Sequence, residues 1–248
     1  MFHYKNSVMR VVYSKILSVP VSGILLFLLA FLLIQPVANS QVVNETTKKK
    51  FSIGFGMFND FVLNVPSGIK IRTINQGVNV FGLYNLPFGK SNFGFSLGLG
   101  LSAHNIYGDF LVNKVGDTTK LVKIPDAVSF KRSKMTIVYL EVPLEFNLKT
   151  KSKVNVALGI KVGYLIGSHT KYVGNAIDTS IYTYNTTSKV RIKEMGIPNL
   201  QQFSYGPTFR IGYRWISIDG QYMLSTLFSK NHGPDMYPIS VGLVLMPF

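Results

Sequence analysis

From Val154 to Gly167 the chain reads VNVALGIKVGYLIG. Its even positions Val154, Val156, Leu158, Ile160, Val162, Tyr164 and Ile166 are large and apolar. Its odd positions Asn155, Ala157, Gly159, Lys161, Gly163 and Gly167 are small or polar, with Leu165 the exception. A period of two is that of a β-strand, whose side chains alternate between faces. One face is greasy and the other nearly empty, which suits a strand with lipid on one side and a narrow interior on the other.

The pattern recurs. In Phe93–Ala103 every odd residue is apolar and every even one is Gly or Ser. In Thr136–Leu148 the row Val138, Leu140, Val142, Leu144, Phe146 and Leu148 stands against Tyr139, Glu141, Pro143, Glu145 and Asn147. Phe203–Tyr213, Ile216–Leu224 and the run from Tyr237 to Leu245 alternate in the same way, and weaker candidates cover Phe51–Leu63 and about Ile69–Leu86. That makes eight expected strands. Short connections are expected around 87–92, 150–152 and 214–215, and long ones at 104–134 and 169–202. Short turns on one side and long loops on the other are the layout of an outer-membrane barrel.

The expected fold is therefore all-β, an eight-stranded antiparallel up-and-down transmembrane β-barrel. A soluble, lipocalin-like ligand binder is the alternative, but it would point the large apolar rows inward, where eight strands leave no room for them. Closure also lets strands in lipid satisfy their backbone hydrogen bonds among themselves. Only 15% of residues are charged, while Gly (22), Phe (18) and Tyr (13) are plentiful, a mixture unlike that of an ordinary soluble globule. Tyr84, Tyr107, Tyr139, Tyr172, Tyr213 and Tyr237 are candidates for interfacial girdles.

Lys5, Arg10 and Lys15 precede the apolar run Gly23–Ile34, and Ala38-Asn39-Ser40 follows. This is the layout of a cleaved secretory signal peptide over residues 1–40, with an uncleaved anchor as its rival. Residues 41–50 then form a short N-terminal segment and 51–248 the barrel domain, which places the protein in the outer membrane of a Gram-negative bacterium. Past the leader, 23 basic residues face all 11 acids, a balance of +12. In that compartment the anionic neighbour is outer-membrane lipid or lipopolysaccharide rather than nucleic acid.

Cysteine is absent, which removes disulfides and thiol chemistry. His3, His104, His169 and His232 form no metal-ligand spacing, and no cofactor motif is present. The inward-facing ionisable residues are Glu141, Glu145, Lys161, Arg210 and Asp219, with Arg214 at a turn below. Charges in a narrow lumen must pair, so these read as a structural charge cluster and not as catalytic groups. Ser102 and His104 share a face, a thin hint of a lipid-modifying hydrolase, but spacing shows no third residue to orient the imidazole. Asp60 falls near a strand end without a partner pattern. The stretch carrying Lys114, Lys120, Lys123, Lys131, Arg132 and Lys134 is a candidate lipopolysaccharide-contact loop.

The segments Tyr139–Phe146 (YLEVPLEF) and Gly206–Tyr213 (GPTFRIGY), with the ending Gln221–Phe228, Gly233-Pro234 and Pro238–Leu243, resemble the PorT-like small outer-membrane β-barrel family. The final Phe248 is similar to the aromatic C-terminus read by barrel assembly machinery. The resemblance implies an integral outer-membrane barrel without a catalytic motif. The member that names the family takes part in type IX protein secretion, so an accessory role with other envelope or secretion proteins is implied as well.

Overall fold

The computed structural model describes residues 50–89, 91–178 and 183–246; the expected leader, most of the short N-terminal segment and Phe248 lie outside the described residues. Eleven strands follow in order: β1 (Phe51–Leu63), β2 (Gln76–Pro87), β3 (Phe93–Tyr107), β4 (Phe110–Val115), β5 (Thr118–Lys123), β6 (Phe130–Lys149), β7 (Val154–Asp178), β8 (Thr183–Met195), β9 (Phe203–Tyr213), β10 (Ile216–Tyr222) and β11 (Tyr237–Leu245). Eight of them close a ring, β1-β2-β3-β6-β7-β9-β10-β11 and back to β1, with every neighbour antiparallel. Closure leaves no open edge in the ring.

The eight expected strands are the eight of the ring. The second begins at Gln76 rather than near Ile69, because residues 69–75 are held by the Asn75 side chain, which donates to the carbonyls of Asp60 and Arg72. The stretches expected as long loops are largely built of strand. β6 and β7 run on beyond the barrel wall, β8 pairs with the upper half of β7, and β4 and β5 form a separate hairpin. Pairing satisfies backbone groups that an irregular loop would leave to water.

Sidedness follows the sequence pattern. Phe55, Met57, Val80, Leu99, Phe146, Leu158, Ile160, Phe209, Ile211, Ile218 and Leu243 are exposed on the outer wall. The inner rows are filled by alternating large and small residues around the circumference. Phe58 stands between Gly242 and Gly77, and Phe81 between Gly54 and Gly100. A Cβ on Gly77 would overlap the Phe58 ring, and one on Gly54 the Phe81 ring. The glycines are the sockets into which those rings fit.

At the long-loop end the inner rows turn apolar. Ile106, Met135, Ile137 and Tyr139 from the ring pack with Phe110, Ile197, Leu200, Met223, Leu227, Phe228 and Met236. Leu165, the exception in the opening stretch, joins this cluster at the level where lumen gives way to cap. The hairpin β4–β5 is tied across the top: Thr119 N–H donates to the His232 carbonyl at 2.8 Å, the Thr119 hydroxyl to the Pro198 carbonyl at 3.0 Å, and the Asn199 amide to the Asp117 carbonyl at 2.8 Å.

Two expected girdle residues are instead buried. Tyr139 lies on the lumen side of β6, its ring 5.8 Å from that of His104. Tyr172 packs on Phe130 above the wall and donates to the Asn175 carbonyl. Both occupy inward parity on their strands, which takes them away from the lipid interface.

Candidate functional site

The lumen side chains form a descending polar column. Beneath the cap, the Asp60 carboxylate lies 3.0 Å from His104 Nδ1, and His104 Nε2 lies 3.2 Å from the Ser102 hydroxyl. The Ser240 hydroxyl donates to the other Asp60 oxygen at 2.6 Å. With the imidazole proton on Nδ1 donated to Asp60, Nε2 accepts from Ser102. The His104 ring is held between Phe58, at 4.8 Å between centroids, and Tyr139.

Sequence spacing missed Asp60, which proves to be fully buried. It sits on β1, two strands from His104. The register places Gly77 of β2 between Phe58 and His104, and the space left by that glycine lets groups on β1 and β3 meet across β2. The missing Cβ at position 77 is the local signal that a close approach occurs there.

Below this, Lys161 Nζ lies 3.4 Å from Glu141 and donates to Gln221 Oε1 at 3.1 Å. Arg210 is ion-paired with Glu145, stands directly across the ladder from Asp219, and lies over the Phe81 ring at 5.3 Å. The expected cluster Glu141, Glu145, Lys161, Arg210 and Asp219 is thus brought together. Arg214 does not join it: it sits exposed in the two-residue turn after β9, at φ 55°, over Tyr213. At the short-turn end, Asn147 donates to Ser96, Ser96 to Asn85 and Asn85 to Ser52.

Chemically, Ser102, His104 and Asp60 stand in the order of a hydrolase relay. Ser102 is only 2% exposed and lies under the apolar cap. Its strand is paired on both sides, so the main chain there supplies no free pair of N–H groups for an oxyanion. The three residues, with Ser240, tie β1, β3 and β11 together inside the lumen. Among the described residues no group of three or more His, Asp or Glu is placed to hold a metal ion.

The expected contact loop is divided by the fold. Lys114 and Lys120 lie on the β4–β5 hairpin, and Lys123 pairs with Asp126 at 2.9 Å. Lys131, Arg132 and Lys134 belong to β6. Lys134 and Lys171 are cross-strand partners, as are Lys171 and Lys193.

A family model described as outer membrane protein beta-barrel domain matches residues 39–227. No curated protein matches at the sequence level. Among solved structures, the attachment invasion locus protein Ail of Yersinia pestis, in complex with the heparin analogue sucrose octasulfate, is similar at 13% identity. That match covers 79% of this chain and 97% of Ail with a TM-score of 0.36. A triple mutant of the Rhodopseudomonas blastica porin is similar at 10% identity over 79% of this chain and 99% of the porin, with a TM-score of 0.21. Neither likeness bears on function.

Proposed function

The chain belongs to the outer membrane protein beta-barrel domain family, and from that premise we propose that it is a non-enzymatic scaffold, an accessory of protein secretion of the PorT-like kind. The observation that carries this reading is the cap. The segments at the long-loop end share one apolar core over a lumen filled by paired charges. A filled and capped eight-stranded ring leaves little room for conduction, so its shaped outer surface is what it offers to partners.

Photo-crosslinking from position 120 on the exposed side of the β4–β5 hairpin tests the reading in whole cells. Adducts with secretion or other envelope proteins, lost when the hairpin is replaced by a short turn, are expected. Adducts confined to lipid would overturn the secretion role.

A second reading, hydrolysis of an outer-membrane lipid by Ser102, is favoured by the Ser102–His104–Asp60 geometry. Under the scaffold reading, Ser102→Ala costs about 1 kcal/mol, the worth of one hydrogen bond, and leaves the acyl-chain pattern of the membrane lipids unchanged by mass spectrometry. A changed pattern in a folded Ser102→Ala variant would put the hydrolase in the scaffold's place.

A further inference from the structure

The outer wall above the lipid-facing belt carries a lattice of cations drawn from segments far apart in the chain. Strand register places Tyr107, Lys134, Lys171 and Lys193 in one lateral row across β3, β6, β7 and β8. The next row on the same face is Arg132, Val173 and Arg191. Arg72 joins the first row: its main chain donates to the Tyr107 carbonyl, its guanidinium lies over the Tyr107 ring at 5.7 Å and reaches the Lys131 carbonyl of β6 at 3.3 Å, and the Lys134 ammonium is 5.4 Å from the same ring.

Outward parity is set by a bulge. Ile166 has no partner on β6, so the alternation of β7 shifts there, and Lys171 faces outward beside Lys134. Lys171 stands five residues beyond Ile166, which at about 3.3 Å per residue on a tilted strand is on the order of 10 Å above the belt. That is the level of the outer-leaflet headgroups. Among the described residues no carboxylate is paired with Arg72, Arg132, Lys134, Lys171, Arg191 or Lys193. Glu194, the nearest acid by strand position, alternates to the opposite face. Burial and the neighbouring Arg132, Lys171 and Lys193 hold the Lys134 ammonium below its ordinary range, as expected of cations gathered without a counter-charge.

We propose that this lattice is a binding site for the phosphate groups of a phosphorylated glycolipid in the outer leaflet, with the Arg72–Tyr107–Lys134–Lys171–Lys193 row as its principal contact. It rests on the outer-membrane placement with the cap outward. Sideways orientation at headgroup height selects a lipid over a soluble polyanion, which would reach the cap summit more readily. The Arg residues offer paired donors to phosphate oxygens and the Lys residues point charges.

The test is native mass spectrometry of the full barrel in detergent, titrated with bisphosphorylated lipid A and with its phosphate-free form. Retention of the phosphorylated lipid is expected, and K134Q/K171Q/K193Q should weaken it by about a hundredfold, on the scale of three Lys contacts at an anionic surface. The control K114Q/K120Q/K230Q removes the same charge from the cap and should leave binding within about twofold, since it removes none of those contacts. Equal losses in both triple variants, equal retention of the phosphate-free lipid, or full competition by inorganic phosphate would each overturn the site. Protease shaving of whole cells, which cuts only an outward cap, tests the orientation separately.

Discussion

Arg210→Ala is expected to lower the stability of the barrel by about 3–5 kcal/mol, the usual cost of stranding a buried charge. Glu145 and Arg210 are 4% and 6% exposed, and Asp219 is the direct cross-strand neighbour of Arg210. Removing the guanidinium therefore leaves two carboxylates facing each other in a narrow lumen and takes away the group lying on Phe81. The double change Arg210→Met with Glu145→Gln should be milder than the single one, because it removes the charge pair together. Urea titration of the folded barrel in detergent, followed by the loss of its heat-modifiable gel mobility, reads both. An unchanged midpoint for Arg210→Ala would mean the lumen charges contribute nothing to stability.

Phe228→Ala acts at the other end. Phe228 is fully buried in the cap core, and Gly233 fits against its ring so closely that a Cβ there would lie 2.5 Å from Phe228 Cβ. A cavity of that size typically costs about 3–5 kcal/mol. The loss should fall on the cap, which opens as a unit: trypsin should cut among Lys114, Lys120 and Lys123 while the ring keeps its heat-modifiable mobility. If the mobility shift disappears as well, cap and ring fold as one cooperative body.

The ring was legible because lipid on one side and a tight lumen on the other impose a strict period of two, and the parity that assigns Leu158 outward assigns Lys161 inward. Above the membrane that contrast ends. β4 and β5, FLVNKV and TTKLVK, have no lipid to face and lose the clean alternation. β8 does alternate, Lys189, Arg191 and Lys193 against Val190, Ile192 and Glu194, but Ile192 and Glu194 are exposed along with the cations, and the stretch reads as a basic loop. The charge cluster was legible because parity alone places it. Asp60 was not, because its partner His104 is 44 residues away and the only local mark of their meeting is a glycine on a third strand. The cation lattice was hidden for a related reason: its rows run across strands, and a chain read lengthwise shows two separate basic stretches with Arg72 far from both.

The unpaired Ile166 works as a shift of reading frame within one strand. Below it, even numbers spell membrane; above it, odd numbers spell the outside. Deleting that residue would join Leu165, facing in, directly to Gly167, facing out, so the ladder with β6 would run without a break while Lys171 stayed outward and Tyr172 inward. One extra residue thus lets the pattern of a single 25-residue strand change phase where its surroundings change, and it is a position where the chain can lose a residue without turning any side chain to the wrong face.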